Sequence, residues 1–309
     1  MSRWSVKELE DIAVSKERWQ DDEALSWCRR YARAHYENFQ VSSLFLPRQL
    51  RNAYTVLYAF ARGADWRADD IAADLPEDAR KAVRRQALAE WRQQLSAVYS
   101  EASPSHPAFI ALRRVIEKYP IEQDSFDAMI RAFERDQGNG RYETWADVLR
   151  YTEGSANPVG RWVLRVHGLH DPELDRLSDS VCTGLQLVNF MQDIRSDLVG
   201  RNRVYLPLEE LRQFVVTEEM LAHTPTPEPV RRLLAFEAER ADTYLSAGIE
   251  LIKQVQPPLR NQLTLFVGGG KLALDALKRA DWDAGSRHRR VTRMDKAGLI
   301  LRAYLGRTL

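Results

Sequence analysis

Two segments of the chain carry polar side chains at helical spacing. Members of the first follow one another at steps of four, three and four residues: Tyr58, Arg62, Asp65 and Asp69. Members of the second follow at steps of three, four and four: Gln186, Asn189, Asp193 and Asp197. Because an α-helix has about 3.6 residues per turn, each set is expected to form one stripe on a helix.

Carboxylates four residues apart on a helix lie about 6 Å apart and repel each other unless a cation is present. Two such pairs on facing helices would make an oxygen-rich cleft suited to Mg²⁺, which prefers a few carboxylates plus substrate phosphates. We therefore expect magnesium ligands at four positions: Asp65, Asp69, Asp193 and Asp197. Bound magnesium would neutralise a leaving diphosphate. Arg62 could share that charge through bidentate contacts, and the rings of Tyr58 and Tyr151 could stabilise a carbocation.

A single pair of aspartates at this spacing is usually a solvated helix face or a set of ion pairs. Here, however, both pairs continue polar stripes through apolar surroundings, such as Leu57 and Phe60 in the first segment. Aspartate is also unfavourable inside a helix, so its presence calls for a reason. Together the two stripes favour a metal site over the solvated alternative.

Helical periodicity dominates the rest of the sequence, and alternating strand-like runs are lacking. From Val230 to Ile252, apolar or small residues recur at steps of three and four. Further helices are predicted near 24–36, 48–72, 79–99, 106–118, 122–136, 157–168, 173–198, 257–279 and 293–306. Prolines fall mostly between these stretches, where they can start or stop helices. The sequence therefore predicts one all-α domain spanning residues 1–309.

Composition narrows the classes of partner. The 309 residues include 45 basic and 44 acidic side chains, a net charge of +1, so we expect no nucleic-acid partner. The two cysteines are far apart in sequence, and a reducing cytoplasm is the expected location. No uncharged apolar stretch approaches the ~20 residues of a spanning helix. Peripheral membrane contact is compatible with the sequence, although no segment specifies it.

The chain resembles the squalene/phytoene synthase family over nearly its whole length, and in particular its bacterial hydroxysqualene synthase branch (the HpnC type) of hopanoid biosynthesis. The matching segments occur in the family's order: 35–39, 46–51, 58–70, 133–137, 141–145, 155–160, 185–193 and 203–207. Two of them favour the hydroxysqualene branch, His-Tyr-Glu-Asn-Phe from His35 and Ser-Ala-Asn-Pro-Val-Gly from Ser155. Phytoene and one-enzyme squalene synthases usually carry Val-Ala-Gly-x-Val-Gly in place of the latter.

The resemblance implies an isoprenoid-synthase-type helical bundle around a large apolar cavity that holds polyprenyl chains. It matches the four aspartates to the family's metal ligands. It also assigns substrate-binding roles to a set of polar residues: His35, Arg62, Gln186, Asn189, Arg203 and Tyr205. Tyr58 and Tyr151 match tyrosines near the reacting carbons.

The chain departs from the family pattern in the first motif. The family usually has Asp-Asp-x-x-Asp-Glu, and here Trp66 follows Asp65 in place of a carboxylate. Ser196 likewise stands where condensing members often have an acid. The i,i+4 aspartate pair is kept, so a metal site is still expected, with weaker charge or different ion positions.

The resemblance implies a magnesium-dependent enzyme that converts presqualene diphosphate into hydroxysqualene, with Asn157 as the candidate for positioning the captured water. One alternative is condensation of two farnesyl diphosphates to presqualene diphosphate or squalene. Another is a non-catalytic relative, which the four aspartates argue against and Trp66 mildly favours. We also expect substrate hand-over from other enzymes of the squalene pathway, because its intermediates are insoluble or reactive.

Other signals have structural explanations. Gly268-Gly-Gly-Lys271 lacks the spacing and the preceding strand of a phosphate-binding loop, so close helix packing or a kink is expected. His167, His170 and Asp171 are expected to be a helix-end cluster rather than zinc ligands. The basic run 287–293 is expected to be solvated rather than bound to diphosphate or anionic lipid. For Asp136 and Arg141, a structural ion pair and a catalytic duty are equally compatible with the sequence.

Overall fold

A computed structural model describes residues 5–15, 18–34, 46–138, 140–285 and 291–304. In these ranges the regular structure is helical, apart from one isolated parallel bridge between Arg141 and Val204. The all-α prediction is therefore confirmed. None of the described helices is both long enough and apolar enough to span a bilayer.

The helices are numbered here in chain order: α1 Val6–Ser15, α2 Asp21–Ala34, α3 Arg51–Asp69, α4 Glu77–Val98, α5 Pro107–Lys118, α6 Gln123–Asp136, α7 Trp145–Ser155, α8 Asn157–Val166, α9 Pro172–Arg201, α10 Leu208–Gln213, α11 Glu218–Leu221, α12 Glu228–Gln254, α13 Leu259–Arg279 and α14 Arg293–Tyr304. Every predicted helical stretch coincides with one of them. The sequence periodicity did not anticipate α1, α7, α10 and α11.

The chain divides into two compact units, residues 1–137 with 162–169 and residues 138–161 with 170–309. Helix α8 has residues in both units. The single-domain boundaries and the large apolar cavity stay predictions.

Aromatic packing forms the core of the first unit. Phe60 of α3 lies 4.9 Å from Phe126, which stacks on Trp162 at 4.5 Å between ring centroids. Trp91 of α4 packs edge-on against Phe109 at 4.4 Å. All five rings are almost completely buried. This cluster fixes α3, the helix that carries the first polar stripe, against α4, α5 and α6.

Close helix packing around Leu245 organises the second unit. A Cβ atom at Gly184 of α9 would lie 2.9 Å from the Cγ of Leu245, and one at Gly270 of α13 would lie 2.9 Å from its Cδ1. Both distances are shorter than side chains tolerate, so glycine is needed for α9 and α13 to approach α12 at this point. Of the glycine run 268–270, the predicted close helix packing is confirmed at Gly270.

Helix α9 has clear capping signals at both ends. Asp171 accepts a hydrogen bond from the backbone N–H of Glu173 at 2.8 Å, and Pro172 occupies the first helical turn. Asn202 ends the helix in the left-handed conformation, with φ of 53°. The helix therefore runs unbroken through the second polar stripe.

Two buried glutamate side chains share one arginine in the second unit. Arg240 of α12 donates to Glu210 of α10 at 2.6 Å and to Glu237 at 2.9 Å, and its guanidinium lies 3.9 Å from the ring centroid of Trp145. Glu237 and Glu210 are only 2% and 5% exposed. Burial and the neighbouring Glu210 together raise the pKa of Glu237 to about 9, although the charge of Arg240 opposes the shift.

This pKa predicts a stability that falls as pH rises. An unfolded glutamate ionises near pH 4.5, whereas folded Glu237 keeps its proton up to about 9. The folded state therefore binds more protons between these values. The free energy of unfolding should decrease with pH across that window, by at most about 1.4 kcal/mol per pH unit.

Urea unfolding near pH 6 and near pH 8 measures how steeply the free energy of unfolding falls with pH. Glu237→Gln should flatten this dependence, and Glu250→Gln, an exposed position on the same helix, should not. Equal slopes in wild type and Glu237→Gln would contradict this assignment.

Candidate active site

The first stripe lies on the final turns of α3. Arg62 forms ion pairs with Asp65 and, at 2.9 Å, with Asp70. Tyr58, one turn earlier, is half-buried; burial raises the pKa of its phenol, and the positive charge of Arg62 opposes that rise. The contact between Arg62 and Asp65 shows that these two members share one helix face, as their spacing predicts.

Backbone acceptors at the end of α3 are held by side chains from outside the helix. Gln137, which is buried, donates from Nε2 to the carbonyl oxygen of Ala68 at 3.0 Å. Arg84 donates to the carbonyl oxygens of Asp69 and, at 3.1 Å, Ile71. The last carbonyls of a helix lack partners within the helix, so these contacts stabilise the turn that carries Asp69.

The members of the second stripe on α9 differ in their exposure to solvent. Asn189 and Asp193 are exposed, Gln186 is half-buried, and Asp197 is only 6% exposed. Arg201 pairs with Asp197 at 3.0 Å. Burial raises the pKa of Asp197, and the charge of Asp193 adds to that rise, whereas Arg201 and Arg203 oppose it. Additional positive charge near Asp197 would therefore lower its pKa and favour the ionised carboxylate.

Aromatic rings cluster around Tyr205 in the second unit. The Tyr205 ring stacks on Phe190 of α9 at 4.3 Å, and it lies 5.2 Å from Tyr151 of α7 and 5.8 Å from Tyr142. Arg203, buried beside it, lies with Nη1 3.5 Å from the Tyr205 hydroxyl. The predicted residues Tyr151, Arg203 and Tyr205 are therefore neighbours, and the ring faces of the two tyrosines can stabilise positive charge.

Backbone pairing holds the loop that carries Tyr205. Val204 donates its N–H to the carbonyl of Gly140 at 2.8 Å, and Leu208 donates to that of Tyr142 at 2.9 Å. Arg141 forms a bidentate ion pair with Glu218, with contacts of 2.7 and 2.6 Å. Arg141 thus takes part in a structural ion pair, and a catalytic duty for Asp136 and Arg141 stays a prediction.

Asn157 begins α8 in a buried polar pair. It is 7% exposed, and its Oδ1 accepts a hydrogen bond from the hydroxyl of Thr183 on α9 at 3.1 Å. Thr183 in turn lies 3.4 Å from the hydroxyl of Thr152 on α7. The Thr183 hydroxyl therefore orients the buried amide of Asn157, and such an oriented amide can hold a small polar molecule in one position.

The aspartates of the two stripes are oxygen donors of the kind that Mg²⁺ prefers. Within the described ranges, no three or more His, Cys, Asp or Glu side chains form a group able to hold a metal ion. Each stripe instead offers an aspartate pair, Asp65 with Asp69 and Asp193 with Asp197. Mg²⁺ is typically bound by one or two carboxylates together with waters and substrate phosphates, so two carboxylates per stripe match its preference.

The structure adds residues that the sequence interpretation omitted. Thr183 lies three residues before Gln186, so the spacing of the second stripe already extends to it. Phe190 and Tyr142 lie within segments that match the family, but only the folded chain shows that they contact Tyr205.

Two features predicted from the sequence fall wholly or largely outside the described residues: His35 and most of the basic run 287–293. His167 meets the Tyr54 hydroxyl at 3.0 Å, a packing role at a helix end.

The sequence profile of the squalene/phytoene synthase family matches residues 32–295. A hydroxysqualene synthase of Zymomonas mobilis is 30% identical over 68% of this chain and 67% of its own length. A presqualene diphosphate synthase of Rhodopseudomonas palustris is 31% identical over 58% of this chain and 61% of its own length.

A solved structure gives the same result at the level of fold. The squalene synthase HpnC from Alicyclobacillus acidocaldarius superposes with a TM-score of 0.76 at 38% identity, covering 84% of this chain and 95% of that one. Similarity in sequence profile, identity and fold over most of the chain leads to one conclusion. This chain belongs to the squalene/phytoene synthase family, whose members act in isoprenoid biosynthesis.

Proposed function

We propose that this protein is a magnesium-dependent hydroxysqualene synthase that converts presqualene diphosphate and water into hydroxysqualene and diphosphate. The observation that carries the proposal is the presence of both aspartate stripes, on α3 and α9, in a chain of this family. The similarity to the Zymomonas mobilis hydroxysqualene synthase supports this branch.

In this proposal, Asp65 with Asp69 and Asp193 with Asp197 hold the metal. Bound magnesium supplies positive charge that neutralises the departing diphosphate. Arg62 binds phosphate oxygens through its planar guanidinium, which suits bidentate contacts. Gln186 and Asn189, on the same stripe as Asp193, donate amide hydrogens to the diphosphate.

The reaction requires heterolysis followed by water capture. The ester C–O bond breaks and both electrons leave on the diphosphate, giving a cyclopropylcarbinyl cation that rearranges. A water oxygen then forms the new C–O bond and loses a proton, so the products are the alcohol, diphosphate and H⁺. Tyr58 and the Tyr151–Tyr205 cluster stabilise the cation through their ring faces. Other water must be excluded, since it would quench the cation early.

Condensation of two farnesyl diphosphates is the second candidate, which the similarity to the Rhodopseudomonas palustris presqualene diphosphate synthase favours. The two reactions are separated by supplying each substrate alone with Mg²⁺ and analysing the extracted products by mass. Turnover of presqualene diphosphate only would support the proposal. Consumption of farnesyl diphosphate to give presqualene diphosphate or squalene would replace it with the condensation reaction.

Asn157→Ala should reduce the yield of alcohol. The side-chain amide is proposed to position the captured water, and losing one hydrogen bond to it costs about 1–2 kcal/mol, or roughly a tenfold loss in the rate of hydroxysqualene formation. Product ratios and rates from presqualene diphosphate measure the effect. Thr183→Ser keeps the hydroxyl that orients Asn157 and serves as the control. An unchanged product spectrum at full rate in Asn157→Ala would remove Asn157 from the mechanism.

A further inference from the structure

A buried ion pair ties the first helix to the first aspartate motif. Glu10 of α1 accepts from Arg67 of α3 in bidentate fashion, with Nη2–Oε2 and Nη1–Oε1 distances of 2.8 and 3.3 Å. Glu10 is 4% exposed and Arg67 8%. The family profile begins at residue 32. Glu10 therefore reaches the motif from a helix that the family match does not include.

The surroundings fix both partners. The Arg67 guanidinium lies 3.7 Å from the ring centroid of Trp91 and donates to the carbonyl of Gly63 at 3.0 Å. His106 Nε2 lies 3.5 Å from Glu10 Oε2, and its Nδ1 accepts the N–H of Ala108. Burial opposes ionisation of Glu10, but His106 and Arg67 outweigh it and lower its pKa to about 2. Glu10 is thus a charged, oriented partner for Arg67.

Arg67 lies between Asp65 and Asp69 in sequence but on the opposite face of α3. Successive helical residues are rotated by about 100°, so a position two residues away from each aspartate points away from both. Arg67 accordingly points into the core, whereas Asp65 reaches Arg62 on the stripe side. Any rotation or sliding of this turn moves both aspartates together.

This turn needs external support. Its acidic side chains lie at the carboxyl end of α3, where the helix dipole disfavours negative charge. The two aspartates also repel each other at their i,i+4 spacing. A buried ion pair adds little net stability because desolvation offsets its attraction, but it does favour one geometry.

We propose that Glu10 is a positioning residue for the first aspartate pair. Through Arg67 it fixes the rotation and height of the last turns of α3, so that Asp65 and Asp69 are placed to hold Mg²⁺ and diphosphate. This role rests on the proposed function of that motif.

The test measures binding of inorganic diphosphate to the full chain at saturating Mg²⁺ by titration calorimetry, at a temperature where each variant is folded. Glu10→Gln keeps the shape but leaves Arg67 without a buried anion, and should weaken binding about tenfold. The control is Glu210→Gln, a 5% exposed partner of Arg240 in the second unit. It should change the affinity less than twofold.

A double variant separates positioning from stability. Adding Arg67→Met to Glu10→Gln removes the stranded charge and should raise the midpoint of thermal unfolding again. If Glu10 acts by positioning, diphosphate binding stays about tenfold weak in the double variant. The Mg²⁺ concentration for half-maximal turnover should be higher than in the wild type for both Glu10→Gln and the double variant.

Three outcomes would overturn the inference. Wild-type affinity in Glu10→Gln would show that the ion pair does not position the aspartates. Affinity that recovers together with thermal stability in the double variant would show a purely structural role. A wild-type chain that neither binds magnesium diphosphate nor converts a prenyl diphosphate would instead refute the proposed function, and the inference with it.

Discussion

Replacing Asp193 or Asp65 by asparagine is expected to lower kcat/KM for presqualene diphosphate by about a thousandfold. Asparagine keeps the shape and one oxygen of each side chain but removes the negative charge that would hold magnesium. Charge stabilisation of a leaving group by a bound metal contributes several kcal/mol to a rate, and about 4 kcal/mol corresponds to three powers of ten. Steady-state kinetics over a range of Mg²⁺ concentrations measure the loss.

The control for Asp193 lies on the same helix. Asp179 of α9 pairs with Arg161 at 2.5 Å and precedes Asp193 by about 21 Å along the helix axis. Asp179→Asn should change kcat/KM less than twofold. If Asp193→Asn kept activity within tenfold of wild type at unchanged Mg²⁺ dependence, the metal assignment on α9 would be wrong.

The largest expected effect on stability is that of Arg240→Met. Methionine fills part of the space but leaves Glu210 and Glu237 buried without their shared cation. Removing one partner of a buried ion pair costs about 3–5 kcal/mol. The lost contact of the guanidinium with Trp145 adds to this cost. Urea unfolding followed by circular dichroism measures the change in the free energy of unfolding.

An exposed arginine provides the comparison for Arg240. Arg176 forms a bidentate pair with Glu173 on α9, but its side chain is 64% exposed. Arg176→Met should cost less than about 1 kcal/mol, since solvent screens exposed pairs. Adding Glu210→Gln to Arg240→Met should recover part of the loss, because it removes the stranded carboxylate. Similar costs for both arginines would mean that burial does not decide the energy of the Arg240 pair.

Much of the helical framework follows from the sequence because apolar periodicity is a strong signal in long helices. Helix α9 shows this, with a proline at its start and an asparagine at its end. Apolar periodicity does not predict helix α7, because the helix is short and ends in Gly154-Ser155. The clearest sequence signal for this helix is the capping box between Thr144 and Asp147 at its start. Tyr151 is nevertheless predicted as a site residue, from the chemistry of its ring and from the family resemblance rather than from periodicity.

Spacing along one helix predicted the members of the two stripes, but it could not predict their environments. The exposure of Asp193 and the burial of Asp197, one turn apart, depend on the side chains packed against α9. Contacts between residues distant in sequence could not be predicted from helical spacing either. Glu10 and Arg67 are 57 residues apart, and neither carries a local signal for the other. Such pairs are set by tertiary packing, which periodicity does not encode.

The most direct test of the central claim is incubation with presqualene diphosphate in ¹⁸O-labelled water, with Mg²⁺ and with excess chelator, followed by mass analysis of the extracted products. The account predicts hydroxysqualene that carries one labelled oxygen, formed with Mg²⁺ and abolished by the chelator. Unlabelled alcohol, a product that forms equally with chelator present, or no turnover of presqualene diphosphate would contradict it.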